Sequence, residues 1–245
     1  MAIRISIFEF QPRLLATLAT GVGLVLFFVL GQWQLERATQ KQELVDAYAQ
    51  RTREAPVQID TRSRSWQAYR YRQATVRGRY DLERQLLLDN RTYRGQAGYH
   101  VLTPLRITGS EVALLVNRGW VPVGKSRAWL PVLPGPAGTV LARGIIDLPP
   151  EQVFRLGPDA EHDASWPDVI QALETEQVAK LLGYSSLPIV LLLDVDEEDG
   201  FVRDWKPVYG IGPDKHRAYA VQWFLFALIL FGIYVGVHTR RVNQA

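Results

Sequence analysis

The 245-residue chain has no cysteine. That excludes disulfides, CxxC redox chemistry, thiolate zinc sites and c-type haem attachment together. It leaves the compartment open, because many exported domains manage without disulfides. Histidine is scarce too, with four at positions 100, 162, 216 and 238 and no HExxH pairing. There is no GxSxG nucleophile turn and no glycine-rich phosphate cradle between a strand and a helix. "GQAGYH" lies between strand signals and reads as a tight turn. The carboxylates Asp194, Asp196, Glu197, Glu198 and Asp199 in "LDVDEEDGF" depart from calcium-loop spacing and read as a solvated acidic turn. A hydrolase needs a nucleophile beside a base, and none is legible. Internal repeats and low-complexity segments are also missing.

Charge is absent from two long runs. "LLATLATGVGLVLFFVL" covers Leu14 to Leu30, and the uncharged stretch continues to Leu35; "AYAVQWFLFALILFGIYVGV" covers Ala218 to Val237. At about 1.5 Å per residue, each is long enough as a helix to cross a hydrocarbon core of roughly 30 Å. Trp33, Tyr219 and Trp223 are aromatics of the kind that settle at headgroup depth. A cleaved signal peptide is the alternative for the first run. Its length and the ending "FFVLGQWQL", with no pair of small residues, favour a retained anchor.

The remaining charge orients the chain. Of 28 basic and 25 acidic residues, Arg4, Arg13, Arg240 and Arg241 and the single Glu9 stand in the tails, leaving 24 of each sign between. Short basic tails stay cytoplasmic, and a loop of about 180 residues is exempt from the charge rule. The expected layout is a cytoplasmic tail (1–13), a transmembrane helix (14–35), an external domain (36–213), a second transmembrane helix (214–238) and a cytoplasmic tail (239–245). This places a multi-pass protein in a bacterial inner membrane with its domain on the periplasmic side, or in the mitochondrial inner-membrane equivalent. The middle has no basic stripe, so the basic excess is a topology signal and nucleic acid is set aside as a partner.

"LERATQKQELVDAYAQR" has helix-forming composition and carries the first helix onward before the break at Pro56. Strand signals follow in "YRQATVRGRY", "RQLLLDN", "GYHVLTPLRI", "EVALLVNRGWVPV", "TVLARGIIDL" and "LPIVLLLDV". "LPVLPGPAG", with Pro131, Pro134 and Pro136, is a loop. "DVIQALETEQVAKLLG" reads as one helix ending on Gly183 as a C-cap. The fold expected is an external α+β domain, an antiparallel sheet or partly closed barrel, flanked by the two transmembrane helices.

"LLLDNRT" and "LLVNRGW" each place an asparagine and an arginine (Asn90–Arg91, Asn117–Arg118) at the end of an apolar strand. They are either anion-binding arginines at one rim of the sheet or groups that satisfy turn backbone. "GPDKHRAYAVQWF" opens the second apolar helix, with Asp214 expected as N-cap. His216, Ala220, Trp223 and Ala227 fall on one face, where the alanines would leave space for a flat ring. A first-turn histidine feels the positive end of the helix dipole, which favours the neutral form that metals need. Lys215 and Arg217 could meet propionates or lipid phosphates. The alternative is that His216 simply lies among headgroups.

The chain resembles the surfeit-locus-one family of cytochrome oxidase assembly proteins. "GQWQLERATQK", "LLLDNRTYRGQAGYHVLTPL", "LLVNRGWVPV" and "KHRAYAVQWF" carry the likeness, four motifs in order over most of the chain. The resemblance implies a non-enzymatic assembly factor for the haem-copper (cytochrome c) oxidase. Such a factor binds haem a and assists its delivery to the catalytic subunit. It further implies His216 as iron ligand, with Trp223 on the same face; Tyr219, Lys215 and Arg217 beside them are the other cofactor contacts expected. Asp214 and Lys215 stand where many relatives have two asparagines, so this ligand's surroundings are more charged. A cofactor-free scaffold gripping an oxidase assembly intermediate is the second expectation, with Asn90, Arg91, Asn117, Arg118 and Trp120 as its partner-contact surface. His100 lies inside a family motif but, on a strand, reads as structural. An external enzyme would need a polar pocket joining Asn90, Arg91, His100 and Arg118.

Overall fold

The computed structural model describes residues 3–5, 8–62, 65–124, 127, 129–149, 166–207 and 210–241. They form two compact units, Met1–Asp46 with Pro207–Ala245, and Ala47–Lys206. The second unit lies inside the 36–213 interval expected for the external domain.

The first unit is built on two helices. Helix α1 (Leu14–Arg51) runs unbroken for 38 residues, about 57 Å, well beyond the apolar run with which it begins. Nothing interrupts it, because "LERATQKQELVDAYAQR" has neither proline nor glycine. Helix α3 (Pro213–His238) has 26 residues. Both are long and apolar enough to cross a membrane. Their outward residues, among them Leu15, Val22, Leu228 and Val237, are exposed, as contact with lipid requires. At the far end of the pair, β1 (Ile3–Ile5), β2 (Phe8–Phe10) and β11 (Thr239–Arg241) form a small antiparallel sheet.

The second unit is a mixed sheet of β3 (Val57–Gln58), β4 (Gln73–Tyr80), β5 (Leu86–Tyr93), β6 (Gln96–Ile107), β7 (Ala113–Pro122), β8 (Thr139–Asp147), β9 (Asp168–Ile170) and β10 (Ser186–Leu193). The strand order is β3-β4-β8-β10-β7-β6-β5-β9, and a further pairing of β4 with β6 closes β4, β8, β10, β7 and β6 into a ring. The expected partly closed barrel is therefore found. It is antiparallel except for β3–β4, β5–β9 and β7–β10, which pair in parallel.

Alternation fills the ring. Ala74, Val76 and Tyr80 of β4, Leu114 and Val116 of β7, and Leu187, Ile189, Leu191 and Leu193 of β10 share one core. A second core lies on the opposite face, where helix α2 (Thr175–Leu182) packs Val178 and Leu182 against Leu86, Leu88 and Leu102. Helix α2 ends as expected on Gly183, which is left-handed and donates its N–H to the Ala179 carbonyl. It starts later than the sequence suggests. Asp168–Ile170 pairs with Leu86–Leu88 as strand β9, because the edge of β5 offers its backbone partners.

Candidate functional site

The α1–α3 seam is made by small residues. A β-carbon at Gly31 would lie 2.6 Å from the Phe224 ring, and one at Gly23 would lie 2.8 Å from Leu230. Glycine alone permits that approach, which is how apolar helices pack in lipid. Gly31 and Ala38 are the buried residues of α1, and Ala220 of α3 is fully buried. Phe27 stacks on Trp223 at 5.8 Å, and Thr17 shares a 2.7 Å hydrogen bond with the Tyr234 hydroxyl. These contacts run in opposite directions along the two helices, so the pair is antiparallel. Gly21 faces open space, and Gly23 is the glycine that shares the seam with Gly31.

At the head of α3 the N-cap is Gly212, with Pro213 in the first turn, so Asp214 is not the cap expected. Proline's fixed φ suits the first helical position, which draws the helix start forward. Asp214 instead accepts a hydrogen bond from Arg217 at 2.9 Å, and Arg217 also donates to Gln42 of α1 at 3.1 Å. Lys215 and Tyr219 are exposed, and His216 and Trp223 are partly buried. The Nδ1 of His216 lies 2.7 Å from the amide oxygen of Gln34 on α1. With that oxygen as acceptor, Nδ1 carries the proton and Nε2 keeps its lone pair. The expected ring-sized space along Ala220 and Trp223 is closed, because that face is spent on the seam.

Gln34 is the residue that the site assignments from sequence left out. It stands three after Gly31 and four before Ala38, so helical spacing places it on the buried side of α1. That spacing was the available signal.

In the barrel, the two Asn–Arg motifs are mid-strand bulges rather than strand ends. Leu88 pairs with His100 and Arg91 with Gly98, so Asp89 and Asn90 oppose Tyr99 alone. Asn117 pairs with Leu102 and Trp120 with His100, so Arg118 and Gly119 oppose Val101 alone. Asn90 takes the left-handed φ of 59°. Gly119 has φ 117°, and a β-carbon there would lie 2.7 Å from the Val202 carbonyl oxygen. Trp120 Nε1–H donates to the Arg91 carbonyl at 3.1 Å and joins the two motifs.

Arg118 is 2% exposed. Its side chain donates to the carbonyls of Asp199 (2.8 Å) and Pro134 (2.7 Å) and to the Gln85 amide oxygen (3.3 Å). The guanidinium lies over the rings of Tyr80 and Phe201. It fastens the proline loop and the acidic turn to the barrel. The surface expected for partner contact is corrected accordingly: Asn117, Arg118 and Trp120 are buried, whereas Asn90 is exposed and Arg91 lies between. Asn90 is thus exposed while the Arg118 guanidinium is buried and spent on Asp199, Pro134 and Gln85.

His100 has a different assignment from His216. The Gly119 N–H donates to Asn117 Oδ1 at 3.1 Å, which turns the Asn117 amide nitrogen toward His100 Nδ1 at 3.3 Å. Nδ1 therefore accepts, and Nε2 carries the proton. Burial first, and the charge of Arg91 second, push the His100 pKa down to about 4. It is a neutral structural residue, edge-on to Trp205.

Among the described residues no group of three or more His, Cys, Asp or Glu side chains could hold a metal ion. A haem iron asks for less, since the macrocycle supplies four nitrogens and the protein one or two. One imidazole with Nδ1 bonded and Nε2 basic fits that requirement.

A small barrel whose sequence is inserted between two apolar helices, one toward each end of the chain, defines a class of membrane protein. The chain belongs to the SURF1 family, whose model matches residues 22–228. Members of that family are known in general as oxidase assembly factors. The chain is 24% identical over 238 residues to the SURF1-like protein of Monosiga brevicollis, covering 90% of this chain and 87% of that one. It is 30% identical over 115 residues to Surfeit locus protein 1 of Takifugu rubripes (41% and 48% covered) and 31% over 113 residues to that of Homo sapiens (40% and 38%). The match spans about half the length, or less, of these vertebrate relatives.

Proposed function

We propose that the chain is a membrane-anchored, non-catalytic assembly factor for a haem-copper (cytochrome c) oxidase. It binds haem a through His216 and assists delivery to the catalytic subunit. In this reading both termini are cytoplasmic and the barrel lies on the periplasmic side of a bacterial inner membrane. The observation that carries it is the first-turn position of His216, with Nδ1 bonded to Gln34 and Nε2 left basic. Trp223 and Tyr219 supply aromatic surface, and the exposed Lys215 is available to a propionate. Arg217 is already tied to Asp214 and Gln42. Haem, when bound, supplies a redox-active iron as cargo, and the protein's part is to hold and release it.

Purification from cells making haem a is the test, read as Soret absorbance per protein. Loss should be largest for His216→Ala, smaller for Trp223→Ala, and least for Lys215→Ala, whose contact is solvated and screened. Full occupancy with an unchanged spectrum in His216→Ala overturns the reading.

A cofactor-free scaffold is the second reading, favoured by one observation: the Ala220–Trp223 face is packed, with Ala220 fully buried. It predicts a colourless protein under full haem supply and oxidase assembly indifferent to His216→Ala.

A further inference from the structure

We infer that Gln34 is a positioning residue for His216: its amide oxygen holds Nδ1–H and thereby makes Nε2 the nitrogen offered to iron. The inference rests on the haem reading above and deepens it.

Three observations support it. The contact is short, 2.7 Å, and joins residues 182 apart in sequence. It is also the one side-chain hydrogen bond of His216 among the described residues. The seam aims Gln34, since Gly31 and Ala38 on the same side of α1 are both buried. The third is the contrast with His238, at the other end of α3, whose Nδ1 lies 2.8 Å from the Tyr234 carbonyl one turn back in its own helix. One turn before His216 stands Gly212, the N-cap, whose carbonyl receives the His216 backbone N–H. The His216 ring turns instead to the other helix. Its orientation therefore depends on α1, and the two helices make one site.

An acceptor at Nδ1 fixes the ring's tautomer and rotation and raises the basicity of Nε2, and losing such a partner typically weakens metal affinity by about 10–100-fold. Gln34→Leu keeps bulk but removes the acceptor. Gln34→Glu keeps an acceptor and strengthens it, so electron donation to iron rises and the midpoint potential falls.

The experiment uses the full chain in detergent. Imidazole ¹⁵N NMR of the haem-free protein reads the tautomer, with the His216 signals identified by their loss in His216→Ala. Titration with ferric haem b, followed by potentiometry, reads affinity and potential. Expected are a wild type protonated at Nδ1, a Gln34→Leu protein with mixed tautomers and about 10–100-fold weaker binding, and a Gln34→Glu protein that binds with a lowered potential. A wild type protonated at Nε2 overturns the inference. So does loss of binding in both Gln34 variants, which would mark a packing role. If His216→Ala loses haem while Gln34→Leu keeps wild-type affinity and potential, the inference alone falls. If His216→Ala binds as the wild type does, the haem reading falls and takes the inference with it.

Discussion

The amide of Asn117 faces the imidazole of His100 across 3.3 Å, and the Gly119 N–H, by occupying the amide oxygen, decides which atoms meet. This one relationship explains why a histidine within a recognised motif is structural. Its proton sits on Nε2, whereas the contact with Gln34 puts that of His216 on Nδ1.

The first prediction concerns acid. The folded pKa of His100, about 4, lies below the value near 6.5 of an unfolded chain, so the unfolded state takes up the proton first. The contribution of His100 to stability is fully present above about pH 6.5 and is lost as pH falls toward 4. Melting temperatures of the wild type and His100→Gln, measured in detergent from pH 7.5 to 4, should diverge at neutral pH and converge in acid. Parallel curves would refute the assignment.

The second concerns Arg118. Removing the Arg118 side chain takes a donor from the part-buried carbonyls of Asp199 and Pro134 and from the buried Gln85 amide oxygen, which keeps Thr103 as its other donor. Arg118→Met should cost at least about 2 kcal/mol in denaturant unfolding of the barrel. Arg118→Lys should recover little, because one ammonium cannot reproduce the planar fork. A variant within about 0.5 kcal/mol of wild type, the range of ordinary surface changes, would show that the network is dispensable.

The third separates two glycines of α1. Gly31→Val meets the Phe224 ring and should destabilise the helix pair, whereas Gly21→Val, with nothing within 4 Å, should not. Thermal loss of helical circular dichroism in detergent reads the difference. Equal effects would mean that helix propensity, not the seam, sets the outcome.

The sequence already carried the architecture. Runs without charge define α1 and α3 because a helix in lipid must satisfy its backbone within itself and show apolar side chains outward. Period-two alternation marks β4, while β7 and β10 read as apolar runs because residues on both of their faces are buried. Gly183 announced the end of α2. The motifs were legible as motifs, but their roles were not. In "NRGW" the asparagine orients a histidine, the arginine turns inward, the glycine bends the strand and the tryptophan reaches another bulge. Each of those roles is set by a partner elsewhere in the chain.

By itself, then, the sequence determined local conformation and polarity: which segments are apolar helices, which alternate as strands, and where a histidine opens a helix. Only the tertiary structure decided what each polar group faces. A hydrogen bond joins atoms a few ångströms apart regardless of chain separation, so Gln34 and His216, or Asn117 and His100, become partners only once the helices pack and the barrel closes. Periodicity reports which side of an element is buried, and packing alone reports against what.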